Sequence, residues 1–155
     1  MNNRAVFAGT FDPFTLGHYE IVEKASLLFD ELIVAVADAC EKNTKYSLEK
    51  RVEIAKASLQ NLSNVKVVEF KGFLVDFMRK NGVKYFVRGL RNATDFEYEK
   101  TLLAAYKSQD ESVEGYYLMS SNELSYISSS LVRQIIDNGG DASKYLKAEA
   151  ALLIK

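Results

Sequence analysis

The sequence predicts an α/β fold: a single-domain, Rossmann-like, doubly wound sheet of five mainly parallel strands with helices on both faces. Short apolar runs alternate along the whole chain with segments whose apolar residues recur at helical spacing, a pattern typical of parallel sheets. The run 32–37 is apolar at every position, as expected of a strand covered on both faces. No repeat or linker interrupts the 155 residues, so we expect one domain over residues 1–155.

The elements are expected to follow one another as strand, helix, strand. We assign the strands to residues 5–8, 32–37, 65–70, 85–87 and 116–119, and expect helices to begin near residues 17, 48, 74, 93, 128 and 142. Ser47 is a typical N-cap, while Asn81-Gly82 and Gly139-Gly140 are typical helix ends. The last helix, from about Ala142, is expected to carry the apolar residues Tyr145, Leu146, Ala150 and Leu153.

Charge and cysteine content exclude several classes of partner. The chain has 20 basic and 21 acidic residues and a formal net charge of −1, so it lacks the positive field that holds nucleic acid. Cys40 is the only cysteine, which precludes an intrachain disulfide and fits a reducing compartment. No signal peptide is recognisable, and no apolar run approaches the roughly 20 residues of a membrane span. We therefore expect a cytoplasmic protein without a nucleic-acid or membrane partner.

The segment from Gly9 to His18 is the strongest functional signal. It joins a buried strand to a glycine turn, an Asp12-Pro13 turn signal and the start of a helix. A helix N-terminus presents free N–H groups and the positive end of its dipole, which together favour an anion. The sequence therefore predicts a phosphate site in the first eighteen residues.

His18, the only histidine, could have either of two roles in this loop. A histidine in a first helical turn is commonly a capping or packing residue. Here it lies one turn before Ile21 and Val22, on the inward face beside the loop, which favours a side chain that faces a ligand. The helix N-terminus disfavours extra positive charge, which favours a neutral hydrogen-bond donor, but the sequence leaves the protonation state of His18 open.

Three further loops follow the carboxyl ends of predicted strands, where ligands bind in such sheets. Lys42 follows the second strand and is a weak signal, since loop lysines are commonly solvated. Arg88 and Arg91 follow the fourth strand; they could pair with nearby carboxylates or bind phosphate, and this segment leaves the two interpretations equal. The triple serine from Ser128 to Ser130 caps a helix, and its hydroxyls could also bind a second anion.

These motifs together resemble a known family. Gly9-Thr10-Phe11-Asp12-Pro13 with Thr15-Leu16-Gly17-His18, and Ile127-Ser128-Ser129-Ser130 downstream, resemble the signatures of nucleotidyltransferases with the T/H-x-G-H motif. The runs Arg88-Gly89-Leu90-Arg91 and Asp95-Phe96-Glu97-Tyr98-Glu99 are similar to those of the bacterial phosphopantetheine adenylyltransferases. The resemblance covers nearly the whole chain and identifies it as one nucleotidyltransferase domain.

The resemblance implies a reaction and its participants. ATP and 4′-phosphopantetheine would give dephospho-coenzyme A and pyrophosphate, with Mg²⁺ as cofactor and a homohexamer as the assembly. It implies catalytic roles for His18, as a transition-state stabiliser, and for Lys42 and Arg91. The implied contacts to 4′-phosphopantetheine are Thr10, Lys42, Leu74 and Arg88, of which Lys42 and Leu74 carry over by register. The implied contacts to ATP are Thr10, Phe11, His18, Gly89, Leu90, Arg91, Glu99, Leu124, Ser125, Tyr126, Ile127, Ser128, Ser129 and Ser130.

The implied chemistry explains why no acid–base pair is apparent in the sequence. The nucleophile would be a phosphate monoester oxygen, whose second pKa is around 6, so it is mostly deprotonated at neutral pH. Catalysis then consists of holding the reacting groups in line while cations and N–H donors stabilise the spread charge.

Two other functions compete with this interpretation. A nucleotidyltransferase could act on another phosphorylated acceptor such as nicotinamide mononucleotide, although the segments 88–91 and 95–99 argue against it. The chain could also be a non-catalytic nucleotide-binding module, which the joint presence of His18, the serines and both arginines disfavours.

Overall fold

A computed structural model describes residues 2–39 and 43–154 of the chain. Five strands form one sheet in the order β3-β2-β1-β4-β5, and all four pairings are parallel. The elements are β1 (Arg4–Gly9), α1 (Leu16–Ser26), β2 (Glu31–Ala37), α2 (Leu48–Leu59), β3 (Val65–Phe70), α3 (Leu74–Lys80), β4 (Tyr85–Leu90), α4 (Ala93–Gln109), β5 (Glu114–Met119), α5 (Ser129–Asp137), a 3₁₀ turn (Ser143–Tyr145) and α6 (Ala148–Ala151). The predicted α/β Rossmann-like fold is confirmed.

The strand order reverses at the centre of the sheet. The chain builds outward from β1 through β2 to β3, then returns to place β4 and β5 on the other side of β1. A crevice therefore opens at the carboxyl ends of β1 and β4, the place where doubly wound sheets bind ligands.

Helices cover both faces of the sheet, because successive strand residues point to opposite sides. Ala5 and Phe7 of β1 pack on one face with α1, α2 and α6. Val6 and Ala8 pack on the other face with α3 and α4. A smaller cluster around Ile127 joins α5 to the C-terminal segment. No helix in the two described ranges is long and apolar enough to cross a membrane.

Two differences from the sequence prediction exceed two residues. β4 extends to Leu90, so Arg88 and Gly89 belong to the strand and not to the loop after it. The predicted single helix from Ala142 was wrong: it is a 3₁₀ turn and a four-residue helix, separated by Leu146 in an extended conformation. Leu146 and Ala150 are buried in two different apolar clusters, and reaching both requires the chain to leave the helical path.

Candidate active site

A cavity of about 410 Å³ opens at the reversal point of the sheet, within the size range of small-molecule sites. Its walls come from the end of β1, the first turn of α1, the end of β4, the start of α4 and the segment that leads into α5. Five segments of the chain therefore meet there, as expected for parallel strands that all end at one edge of a sheet.

Most of the predicted binding residues line this cavity: Thr10, Phe11, His18, Arg88, Gly89, Arg91, Glu99, Leu124, Ile127, Ser128 and Ser129. The others lie elsewhere. Leu74 is buried against α4 in the core below the sheet, Leu90 is buried in β4, and Tyr126 is 60% exposed. Ser125 and Ser130 flank the cavity segment without lining it. Lys42 lies outside the described residues.

His18 is held by the start of its own helix. Thr15 is the N-cap of α1, and its hydroxyl accepts the backbone N–H of His18 at 3.4 Å. In return, Nδ1 of His18 accepts the backbone N–H of Thr15 at 3.0 Å, which completes a capping box. Since Nδ1 is an acceptor, the proton of the neutral ring resides on Nε2. The imidazole is therefore a donor at Nε2.

Three phenylalanines surround the His18 ring. Its centroid lies 4.9 Å from that of Phe11, 5.2 Å from that of Phe14 and 6.4 Å from that of Phe7. Burial lowers the pKa of His18 from its usual 6.5 to about 3, and the positive charges of Arg91 and Arg88 act in the same direction. The protonation state that the sequence left open is therefore the neutral one, favoured by burial and by these charges.

The turn after β1 depends on a close contact between Gly9 and Phe11. Phe11 has a φ of 49°, a left-handed conformation that costs about 1–3 kcal/mol in a residue with a bulky side chain. Its ring folds back over Gly9, where an added Cβ would lie 2.9 Å from the ring carbons. Glycine at position 9 therefore permits the ring position that also supports His18.

Asp12 ties this turn to the loop before α2. Its carboxylate is buried and accepts the backbone N–H groups of Lys45 at 2.8 Å and Tyr46 at 3.0 Å. Its carbonyl accepts a hydrogen bond from Arg133 of α5 at 2.7 Å. Sequence reasoning treated Asp12 only as a turn residue, because a buried carboxylate that binds two distant N–H groups leaves no local signal.

Arg88 and Glu99 form a partly buried ion pair beside the cavity. Nε of Arg88 lies 2.9 Å and Nη2 lies 2.8 Å from the same oxygen, Oε1 of Glu99. Nη1 donates to the carbonyl of Ala8 at 3.2 Å. The second carboxylate oxygen, Oε2, is buried with no hydrogen-bond partner among the described residues, so it can accept a hydrogen bond from a ligand.

Arg91 is fixed by a carboxylate at the start of α4. Oδ2 of Asp95 accepts the Arg91 backbone N–H at 3.0 Å and lies 3.2 Å from Nε. The terminal guanidinium nitrogens form no hydrogen bond to the described residues, on a side chain that is 40% exposed. Both arginines thus have carboxylate partners and also line the cavity. The two interpretations left open by the sequence are therefore compatible.

Each of the three serines has a different partner. Ser128 is the N-cap of α5, and its hydroxyl accepts the N–H of Leu131 at 3.1 Å. Ser129 donates to the carbonyl of Pro13 at 2.8 Å. Ser130 accepts a hydrogen bond from Arg133 at 3.2 Å. The N–H groups of the first α5 turn have no intrahelical acceptor, so the cavity wall retains backbone donors for an anion.

Several cavity residues were absent from the predicted set: Phe7, Ala8, Gly9, Thr15, Gly17, Ile21, Asp95, Tyr98 and Ser120. Most are apolar or small and carry no chemical signal. Ile21 is one example, and its place in the cavity depends on Gly89. An added Cβ at Gly89 would lie 2.8 Å from Cγ1 of Ile21. Glycine lets α1 pack directly on the end of β4 and brings His18 close to the arginines.

Comparisons with known proteins agree with this geometry. The sequence model of the cytidylyltransferase-like family matches residues 6–135. A phosphopantetheine adenylyltransferase of Nautilia profundicola is 45% identical over 149 residues, which cover 96% of this chain and 97% of the relative. One of Tolumonas auensis is 41% identical over 155 residues, covering 100% and 94% of the two chains.

A solved structure shares the fold at lower sequence identity. The crystal structure of a protein assigned as a nicotinate-nucleotide adenylyltransferase, from Vibrio parahaemolyticus, superposes with a TM-score of 0.74 at 19% identity. The match covers 99% of this chain and 91% of that one. The solved structure shows the shared fold. The full-length relatives show that the chain belongs to the phosphopantetheine adenylyltransferase family.

Proposed function

We propose that this chain transfers the adenylyl group of ATP to 4′-phosphopantetheine, which yields dephospho-coenzyme A and pyrophosphate in coenzyme A synthesis. The observation that carries the proposal is the joining, in one cavity, of a neutral histidine, two arginines and a helix N-terminus. Relatives that are 41–46% identical over nearly their whole length are named for this activity.

The donors around the cavity suit a phosphoryl group in transfer. Nε2–H of His18 carries a proton without positive charge, so it can donate to a phosphate oxygen throughout the neutral range. Arg91 and the first N–H groups of α5 would bind the charge that spreads over ATP in the transition state. Thr10 and Arg88, which line the cavity, are the residues we assign to 4′-phosphopantetheine, together with Leu74 and Lys42, whose assignment rests on the family resemblance alone.

No general base is needed in this reaction. The attacking oxygen belongs to a phosphate monoester that is largely ionised at neutral pH. The protein has to bring that oxygen in line with the α-phosphorus and the departing pyrophosphate. A histidine whose pKa is about 3 fits a donor that stays neutral and does not accept a proton during turnover.

We further propose Mg²⁺ as the cofactor. Mg²⁺ commonly retains several waters and binds through one or two carboxylates together with substrate phosphates. The cavity carboxylates Asp95 and Glu99 are engaged by arginines, and the described residues contain no cluster of three metal-binding side chains. The residues therefore fit a Mg²⁺ ion that enters bound to ATP and would neutralise the charge of the ATP phosphates. Calorimetry should detect Mg²⁺ uptake with ATP and none by the protein alone.

A cytoplasmic homohexamer remains our proposal for compartment and assembly. Large apolar side chains stand on the surface at Leu27, Met119 and Leu152, which are 84%, 66% and 79% exposed. Such groups are common at protein interfaces. Light scattering coupled to size-exclusion chromatography should give six times the monomer mass; a monomer would contradict the proposal.

An acceptor comparison tests the proposed reaction. The protein is incubated with ATP and Mg²⁺, and with 4′-phosphopantetheine, nicotinamide mononucleotide or no acceptor, while pyrophosphate is measured. We expect release with 4′-phosphopantetheine alone. Release only with nicotinamide mononucleotide would overturn the assigned acceptor, and release with none of them would overturn the transferase itself.

A further inference from the structure

Arg51 of α2 is an unusual buried residue close to the active site. It is 2% exposed and is the largest fully buried side chain of the described chain. No carboxylate of the described residues lies within 4 Å of its guanidinium, and burial lowers the pKa of Arg51, with only partial compensation from the charges of Asp12 and Asp38. Burying a charge without an ion-pair partner is unfavourable, so other interactions have to compensate for the burial of the Arg51 guanidinium.

The guanidinium binds three backbone carbonyls, two at the carboxyl ends of strands and one in the loop before α2. Nη1 donates to the carbonyl of Thr10 at 2.7 Å and to that of Ala37 at 2.8 Å, and Nε donates to that of Tyr46 at 3.2 Å. Thr10 follows β1, Ala37 ends β2, and Tyr46 precedes α2. One side chain therefore fixes three segments at the edge of the sheet that carries the cavity.

The bond to Thr10 has a consequence for the next peptide group. In a trans peptide the C=O and the following N–H point in opposite directions. Because the Thr10 carbonyl is held toward Arg51, the Phe11 N–H points away from Arg51. Arg51 itself does not line the cavity, whereas Thr10 and Phe11 both do. No described residue accepts the Phe11 N–H, and such a free N–H in a turn is a typical anion donor.

The same peptide also controls His18. Phe11 is held at a φ of 49°, and its ring meets the His18 ring edge-on at 4.9 Å. A change in the Thr10–Phe11 peptide would thus disturb both a backbone donor and the packing of the imidazole. We propose that Arg51 is a positioning residue of the adenylyl-transfer site, which holds the Thr10–Phe11 peptide with its N–H toward the phosphate of the substrate. This inference rests on the proposed function.

Arg51→Met and Arg51→Lys test it. We expect kcat to fall about 10-fold or more in both variants, approaching the roughly 10²-fold cost of losing a direct transition-state donor, with KM for ATP changed less than kcat.

In Arg51→Ala, added guanidinium ion should restore part of kcat, and urea at the same concentration should not. Ile54→Ala is the matched control, since Ile54 is fully buried on the same helix and packs only in the apolar core.

All variants are compared at a temperature at which unfolding curves show each to be folded. An unchanged kcat in folded Arg51→Met or Arg51→Lys would overturn the inference. An equal loss of kcat in Ile54→Ala, without rescue of Arg51→Ala by guanidinium, would also overturn it, because the effect would then be general destabilisation. Absence of pyrophosphate release by the unmodified protein would instead overturn the proposed function.

Discussion

Among the individual residues, His18 is the most constrained. Its Nδ1 is occupied by the Thr15 N–H, its ring is enclosed by phenylalanines, and its pKa is lowered to about 3. The bond at Nδ1 prevents that nitrogen from acting as a base, the phenylalanines prevent the side chain from moving freely, and the lowered pKa prevents the ring from becoming a cation at neutral pH. What remains is a fixed neutral donor at Nε2.

Because His18 is the only histidine, nitrogen NMR of its ring reports on one residue without ambiguity. We expect the ring resonances to stay unchanged between pH 5 and pH 8, with a protonated Nε2 and an unprotonated Nδ1. The physical reason is burial, which disfavours the imidazolium form. A titration midpoint near 6.5, or a proton on Nδ1, would contradict the assigned role.

Removing the ring should separate catalysis from binding. In His18→Ala we expect kcat to fall by about 10²–10³, the cost of one transition-state donor, whereas the Kd for ATP measured by calorimetry should change little. A kcat equal to that of the unmodified protein would refute the role of His18. A large rise in the Kd for ATP would show that the ring acts in the ground state.

Among the elements, α1 and α5 meet the cavity with their N-termini, and each is capped by a different residue. In α1, Thr15 and His18 form a reciprocal capping box that holds the His18 side chain. In α5, Ser128 caps the helix while Ser129 binds the turn after β1. The two N-termini are therefore linked, and the loss of a cap at α5 should affect nucleotide binding as well as stability.

Ser128→Ala should lower the free energy of unfolding by about 1 kcal/mol, as typical for an N-cap, and should raise KM for ATP. Asn64→Ala is the control, because the Asn64 amide binds the carbonyls of Ser26 and Phe29 near the amino ends of the strands, away from the site. We expect a comparable loss of stability from that change and an unaltered KM. Equal KM values in the two variants would contradict a functional role of the α5 start.

Sequence patterns predicted the elements better than their ends or contacts. Periodicity located every strand and all helices up to α5, since long apolar patterns are set by burial on one face. It failed after Ala142, where the burial of Leu146 and Ala150 in separate clusters interrupts the helix. It also ended β4 too early, because Arg88 and Gly89 are not apolar although they pair with β5.

The predicted site succeeded where chemistry is local and failed where it is distant in sequence. His18 and Ser128 were recognisable because glycine turns and helix caps have short signatures. Asp12 and Arg51 were not recognised. The N–H groups that the Asp12 carboxylate binds are 33 and 34 residues away, and two of the three carbonyls that Arg51 binds are 14 and 41 residues away. Such contacts exist only after the strand ends have come together. The roles of the cavity residues remain predictions until tested.

For the whole molecule, the neutral and partly buried histidine should make stability depend on pH. Above pH 6.5, His18 is neutral in both the folded and the unfolded states and contributes no dependence. Between pH 6.5 and about 3 the unfolded chain binds a proton that the folded chain does not. Acidification therefore favours unfolding, by up to about 1.4 kcal/mol per pH unit.

The variant His18→Gln isolates this effect, because glutamine preserves a capping box and does not titrate. Urea unfolding between pH 6.5 and 5 should show a steeper loss of stability for the unmodified protein than for the variant. This window lies above the range in which Glu20 and Glu31, whose pKa values are lowered mainly by bonds to lysine and arginine side chains and to backbone N–H groups, become protonated. Parallel curves would contradict a depressed pKa of His18.

We propose that one cavity holds both substrates for a direct transfer, in which an acceptor phosphate attacks the α-phosphorus of ATP in line and no protein group acts as base or nucleophile. The most direct test is the stereochemistry at that phosphorus, measured by phosphorus NMR of the product made from one diastereomer of ATP with sulfur at the α-position. A single in-line displacement predicts inversion of configuration. Retention would indicate an adenylyl–protein intermediate and two successive displacements, and would contradict direct transfer between the two substrates.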